Sequence, residues 1–537
     1  MSKKARRKAR RRRYRNVRIV CVAVLAVAVI AAWGVYFRDS VRIADHVPAG
    51  CALMLAANDL WPGVRELPQW DYAVESCGES VAWLAAADAL SDTKKTLLMC
   101  LVCEEVRVVM CSEGGSDASA ICLVKLSRLG KLSDLLARLS RRVRVESLGD
   151  VKLRRVNRGR PFYYTVLGRL LIGGESPDRV VEAATLSGDK KFVESNGFAQ
   201  MERRDKVPWL AFYRDLGTET TGEQAGAFKS AYGVVHVEKD GIQAEFEAPF
   251  APEFRKSASD VIGKMQRRTV RTSTRMPADV IAGLTVCGSA PFGEILESAA
   301  QAFELPRLRP DSWDSIITGR GSTLAASCGA LFAEFVDALS NEATLALTNV
   351  EVDEIVPTPE FIFFGKAREG MQEDLLEKLE QTAERGGDGP YGLQKKRVKG
   401  VDTAYIDLPE GRALQLCFAG IGDLFAVTTS EYALESFLDT ALGNTPSIKM
   451  AEPDLIEPEE GANLVLVLNT QRLAEESEEL LELLLEYDLL VDVDREKYDT
   501  RISPVLGLGR LFRPVGVSVS LGSDCITGDV KVPFAKM

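Results

Sequence analysis

The sequence predicts an α+β protein: an N-terminal transmembrane helix followed by two tandem homologous domains, each a mostly antiparallel or mixed sheet with helices packed on it. Three observations lead there. An uncharged run follows a very basic N-terminal stretch, a series of short motifs recurs in the same order in both halves, and each half closes on a hairpin signature.

Residues 1–18 hold eleven Lys and Arg and no acid, within a chain of 537 residues and formal net charge −10. The remainder sets 56 basic residues against 77 acidic ones, about −21 by the same count. A body of that charge repels a phosphate backbone, so no nucleic-acid partner is expected. From Ile19 to Phe37 there is no charge. As a helix that run reaches about 28 Å, close to the hydrocarbon thickness of a bilayer. Arg18 at one end and Trp33, Tyr36 and Phe37 at the other are the expected membrane-interface residues. The run exceeds the roughly 7–15 apolar residues of a cleaved signal peptide and ends in bulky aromatics, which favours an uncleaved signal anchor. Charge concentrated ahead of it makes residues 1–18 a cytoplasmic tail and residues 19–37 a single pass through a bacterial inner membrane, with the bulk of the chain exported.

A chain of this length exceeds one core, since single cores stop growing at about 250–300 residues. The repeats divide it into residues 44–266 and 272–537. HVPAGCALMLAANDL from His46 and RMPADVIAGLTVCGSAP from Arg275 share a basic residue, an apolar residue, Pro-Ala and an apolar strand-like run. ICLVKLSRLGKLSDLLARL from Ile121 and FIFFGKAREGMQEDLLEKL from Phe361 each read as a strand followed by a helix. In LGRLLIGGESPDRVVEAAT from Leu167 and IGDLFAVTTSEYALESFLDTA from Ile421, a strand ends at a Ser (Ser176, Ser430) suited to cap the next helix. GVVHVEKDGIQAEFEAPF from Gly233 and GVSVSLGSDCITGDVKVPF from Gly516 are alternating strands about a Gly-containing turn, the mark of a hairpin. LAEESEELLELLLEYDLLV reads as an amphipathic helix with Leu473, Leu480, Leu484, Tyr487 and Val491 on its apolar stripe.

Catalytic chemistry finds little material. Two histidines, His46 and His236, exclude a histidine-rich metal site. No nucleophile elbow, zinc-protease or phosphate-loop motif occurs. Cys100 and Cys103 have redox spacing inside a strand pattern, where residues three apart face opposite ways. Asp492, Asp494 and Glu496 begin like a calcium loop but lack its Gly and closing Glu. The eleven cysteines, mostly in apolar runs, read as reduced buried thiols. No catalytic, cofactor-binding or metal-ligating residue is therefore nominated, and no cofactor is expected. Basic residues gather once per repeat, as Arg138, Arg141, Arg142, Arg144, Arg154 and Arg155, and as Lys395, Lys396 and Arg397. They form a candidate anion-binding patch for a lipid headgroup or an anionic polymer.

The Pro-Ala strand openings at Val47 and Met276, with LGRLLIGGESPDRVVEAA from Leu167, resemble a domain-of-unknown-function family of uncharacterised membrane-anchored bacterial envelope proteins. The resemblance implies an exported, duplicated α/β region and carries no active site. The resulting expectation is a non-enzymatic membrane-anchored envelope protein whose duplicated domains bind a partner protein or envelope component. A lipid or apolar-ligand carrier is the first alternative, and a carboxylate-dependent hydrolase or transferase the second.

Overall fold

The computed structural model describes most of residues 41–58, 103–127, 143–187, 208–216, 227–265, 271–302, 335–351, 358–368, 394–407, 415–455, 462–487 and 494–535, with isolated positions between them. Among the described residues twenty strands dominate. The first ten are β1 (Cys51–Asn58), β2 (Cys103–Cys111), β3 (Ser119–Leu126), β4 (Val143–Leu148), β5 (Val151–Arg158), β6 (Arg160–Leu167), β7 (Leu170–Gly174), β8 (Leu210–Asp215), β9 (Ser230–Glu238) and β10 (Gly241–Pro249). The second ten are β11 (Ala282–Cys287), β12 (Leu339–Glu351), β13 (Thr358–Ala367), β14 (Gln394–Val398), β15 (Val401–Asp407), β16 (Gln415–Ile421), β17 (Leu424–Thr428), β18 (Leu464–Leu468), β19 (Val515–Leu521) and β20 (Cys525–Pro533).

The chain divides into two compact units, Met1–Pro62, Thr93–Gln200 and Phe212–Arg214 in one and the rest, mainly Asp215–Met537, in the other. In the first unit the antiparallel order is β4-β5-β6-β7-β3-β2-β1. In the second it is β14-β15-β16-β17-β13-β12-β11-β18-β19-β20-β10-β9. Strands β4 to β1 thus follow the same order as β14 to β11. The hairpin β9–β10, although within residues 44–266, groups with the second unit because β10 pairs along its whole length with β20.

That seam is pseudo-twofold. Each residue of β10 has its counterpart 284 positions later, from Gly241 and Cys525 to Pro249 and Pro533, and the nine register pairs centre on Glu245 opposite Asp529, which are counterparts of each other. The ends repeat the symmetry: the amide of Phe250 donates to Asp524 O, and that of Phe534 to Asp240 O, each at 2.9 Å. Phe228 stacks on Phe250 at 5.7 Å, and Phe512 meets Phe534 at 6.2 Å.

Two short helices follow β7 and β17 at equivalent places, α1 (Pro177–Thr185) and α4 (Glu431–Leu442). Ser176 accepts from Arg179 N at 3.5 Å and Ser430 from Ala433 N at 3.0 Å, satisfying amides that the first turn leaves open. Helix α4 ends at Gly443, whose φ of 80° closes the C-terminal carbonyls. Its inner face, Ala433, Leu434, Phe437 and Leu438, packs on Ile362, Phe364 and Ala426 of the sheet. Helix α2 (Ser259–Lys264) follows a short helix, Pro252–Ser257, that leads out of the β9–β10 hairpin, and α3 (Phe292–Ala302) brings Phe292 into a cluster with Phe335 and Phe425 on the opposite face.

Two expectations are corrected. The fold is predominantly antiparallel sheet rather than an α+β pair behind an N-terminal transmembrane helix. Among the described residues no helix is long and apolar enough to cross a membrane. The membrane and signal-anchor description is therefore not supported; residues 19–37, with Arg18, Trp33, Tyr36 and Phe37, lie outside the described residues. An uncharged run establishes that removal from water is favourable, not that the segment spans a bilayer. The acidic helix is α5 (Thr470–Glu486), capped by Asn469. Of its expected stripe, Leu473 and Tyr487 are exposed, Leu480 and Leu484 are half-buried, and Val491 lies outside the described residues. Its buried residue is instead the small Ala474, which Gly509 of α6 (Ser503–Gly509) approaches closely.

Gly528 is required at the seam, because a Cβ there would meet the Phe246 ring at 2.3 Å and Ser518 O at 2.9 Å. Gly528→Ala is expected to cost about 1–3 kcal/mol in denaturant unfolding, with partial recovery in a Phe246→Leu background. No loss, or no coupling between the two changes, would contradict the register. Asn463, 1% exposed, donates to Met265 O at 2.6 Å and to Cys287 O at 3.4 Å and accepts from Leu521 N at 2.6 Å. Asn463→Leu strands those backbone groups and is expected to cost about 3 kcal/mol in the same measurement.

Candidate functional site

A strand with one wet face alternates apolar and polar residues, whereas β18 reads Leu-Val-Leu-Val-Leu and presents aliphatic groups on both sides. The two sides are treated differently. Val465 and Val467 are 4% and 0% exposed and belong to the core beneath α4, while Leu464, Leu466 and Leu468 are only half-buried.

The registers extend that half-buried side across seven strands. One row runs Leu345, Leu284, Leu466, Val517, Val530, Ala244 and Val235, from β12 through the seam to β9. A flanking row includes Leu347, Ala282, Leu468 and Val515, continuing on the far side as Val532, Ile242 and Val237. On the other flank, Leu464, Val519 and Phe246 lie in one row with Gly528. Leu345 is 43% exposed. Seven strands at about 4.8 Å spacing make a strip about 29 Å between its outer strands. Helix α3 covers one end, where Phe292, Phe335 and Phe363 meet. In the first unit the matching pair, Leu55 opposite Val108, is 42% and 38% exposed, while Met54, Ala56 and Val109 on the other face are sealed at 0%. At the matched positions Val108 and Leu345, both copies thus expose an aliphatic side chain.

The opposite face of the second copy holds a polar cavity of about 640 Å³ lined by Arg271, Arg275, Ser340, Glu342, Lys366 and Asp423 among others. Its floor is a buried chain of hydroxyls. Thr285 bonds Thr344 at 2.8 Å, Thr344 bonds Thr272 at 2.8 Å, and Thr272 donates to Glu342 Oε1 at 2.7 Å. The same oxygen accepts from the amides of Arg271, at 2.6 Å, and Thr272. Burial raises the Glu342 pKa above the ordinary 4.5, against the lowering effect of these donors. Lys366, 3.0 Å from Asp423, holds that carboxyl below the usual range.

The residues singled out in the sequence fall elsewhere. Arg138, Arg141 and Arg142 lie outside the described residues. Arg144 is exposed on β4. On β5, Arg154 and Arg155 rest over Tyr164 and Tyr163 at 5.4 and 5.7 Å, the geometry of cation–π contacts. On β14, Lys396 pairs with Glu431 of α4, and Arg397 lies 3.7 Å from Asp402 and donates to Gly400 O at 3.0 Å. Lys395 is exposed on the same strand. The two groups thus sit on equivalent hairpins, and several of their cations are already engaged. His46 binds Ala183 O at 2.8 Å and ties the turn before β1 to α1, and Asp494 caps a helical turn by accepting from Lys497 N at 2.8 Å. Cys51, Cys111, Cys287 and Cys417 are buried thiols, and Cys100 lies outside the described residues.

Sequence reading missed both the open strip and the Glu342 floor. The LVLVL run of β18 was a usable signal for the first. The second joins residues about 70 positions apart, which no local pattern reveals.

No protein-family model matches the sequence, and no curated protein matches it. Two solved structures are similar to part of it: crystal form III of TP0453, at 8% identity and TM-score 0.26, and crystal form IV, at 9% and 0.25. They cover 40% and 41% of this chain and 82% and 84% of their own. Scores of this size are too low to establish a shared fold.

A carboxyl whose folded pKa is raised binds its proton more tightly folded than unfolded, so stability falls as pH rises above the ordinary 4.5. Glu342→Gln is therefore expected to melt higher than the unmodified protein at pH 7, with the gap closing toward pH 4. A lower melting temperature for the variant at pH 7 would contradict this placement of the carboxyl.

Proposed function

We propose that this protein binds an acyl-chain lipid along the aliphatic face of its central strands and acts as a carrier or reservoir rather than as an enzyme. The observation that carries the reading is the half-buried aliphatic side of β18, whose other side is sealed, and the continuation of that half-buried side over seven strands. Its inner rows are made almost wholly of Val, Leu, Ile and Ala, with Phe246 the one ring among its central residues. A flexible aliphatic chain matches such a long, unbranched surface, and each methylene removed from water contributes about 0.8 kcal/mol. The exposed Leu55–Val108 pair supports the reading, because it places the same kind of opening at the same site in the first copy.

Displacement of a polarity-sensitive fluorophore by oleate tests it on the whole chain after delipidation. Saturable displacement is expected, and Leu345→Asp with Val517→Asp, in a variant whose melt shows it folded, should weaken oleate at least tenfold, about 1.4 kcal/mol. Absence of displacement by oleate, or equal displacement from the double variant, would overturn the reading and favour a protein partner on this face.

A further inference from the structure

The cavity on the opposite face raises a separate question, because its counterpart positions in the first copy are occupied differently. Ala56 and Thr285 each lie eight residues after the Pro of their Pro-Ala motif, Pro48 and Pro277, and pair across the ladder with Arg107 and Thr344. Two residues earlier on the same strands stand Glu105 and Glu342. In the first copy Arg107 is buried and donates to Glu105 at 2.8 Å, so that acid is neutralised by a neighbouring side chain. In the second copy the arginine is Thr344, and Glu342 is held by hydroxyl and amide groups instead. A second exchange lies at the turn before β7 and β17. Gly168 and Gly422, with φ of 59° and 61°, are followed by Arg169 and Asp423. Arg169 is buried, with Nε donating to Leu126 O at 2.8 Å. Asp423 reaches outward to Lys366. Loss of two long buried side chains at these positions accompanies the open space in the second copy.

What remains around that space is cationic. Arg271 and Arg275 stand at either end of one 3-10 turn, exposed, and their guanidinium groups donate to no described residue. Lys366 joins them from β13. The hydroxyl of Ser340 is buried with no hydrogen-bond partner among the described residues. Against these three cations stand Asp423, shared with Lys366, and Glu342, whose Oε1 is already bonded from three donors.

We propose that this cavity is a binding site for a small oxyanion, a phosphate or carboxylate group, held by Arg271 and Arg275 with Lys366 and the Ser340 hydroxyl. Guanidinium groups suit this task because their planar fork donates two parallel hydrogen bonds to one oxyanion. The site is independent of the lipid-binding reading, since its residues line the other face of the sheet.

Isothermal titration of the full chain with inorganic phosphate and, separately, with acetate tests it. Saturable binding of at least one anion is expected, and the relative affinities identify which group the site takes. Arg271→Gln with Arg275→Gln should weaken the bound anion at least tenfold, whereas Asp423→Asn, which removes a competing carboxylate, should tighten it at least twofold. A melt of each variant confirms that it is folded. No saturable binding of either anion, or unchanged affinity in the folded double arginine variant, would overturn the proposal and leave the oleate result untouched.

Discussion

Nine consecutive antiparallel pairs between β10 and β20 are the constraint on which the rest of the second unit depends. A two-stranded hairpin is marginal alone in water. Here each repeat's closing hairpin finds its missing neighbour in the other's. The shared register aligns the apolar faces of β9, β10, β19 and β20 on one side of the sheet. It also aligns a polar set, including Gln243, Glu245, Thr527 and Lys531, on the other. A slip of one residue would exchange those sets, so the seam determines whether a continuous aliphatic strip exists at all. Gly528 opposite Phe246 and the reciprocal amide bonds of Phe250 and Phe534 hold the register at its middle and ends.

Repetition of a strand order does not repeat its chemistry. In the first copy long arginines occupy the interior at 107 and 169, and the acid beside them is paired. In the second, a threonine relay and an outward aspartate replace them, and the sheet carries a buried carboxyl under a cationic rim. The aliphatic face changes less. Leu55, Val108 and Leu345 keep exposed apolar side chains, and Leu284 a half-buried one, where a solvated sheet face would carry polar ones.

Much of the strand plan was legible because it rests on local rules. The Gly-containing turns before β10 and β20, and Ser176 and Ser430 before α1 and α4, follow from backbone freedom and from the open amides of a helix's first turn. The candidate sites were not legible in the same way. Basic clusters at Arg154–Arg155 and Lys395–Arg397 stood out by composition. In space, however, Arg154 and Arg155 lie over tyrosines and Lys396 pairs with an acid of α4. The cavity instead draws Arg271, Glu342 and Asp423 from three distant stretches, and only long-range pairing brings them together. The transmembrane reading rests on residues 19–37, which lie outside the described residues, and among the described residues no helix is long and apolar enough to cross a membrane.

Photo-crosslinking with a diazirine-bearing fatty acid, followed by peptide mapping, tests the central claim most directly. The account predicts label on peptides containing Leu345, Leu466, Val517 and Val530, which the register lays side by side on one face. Label confined to the opposite face, or spread over the surface without enrichment on these strands, would contradict it.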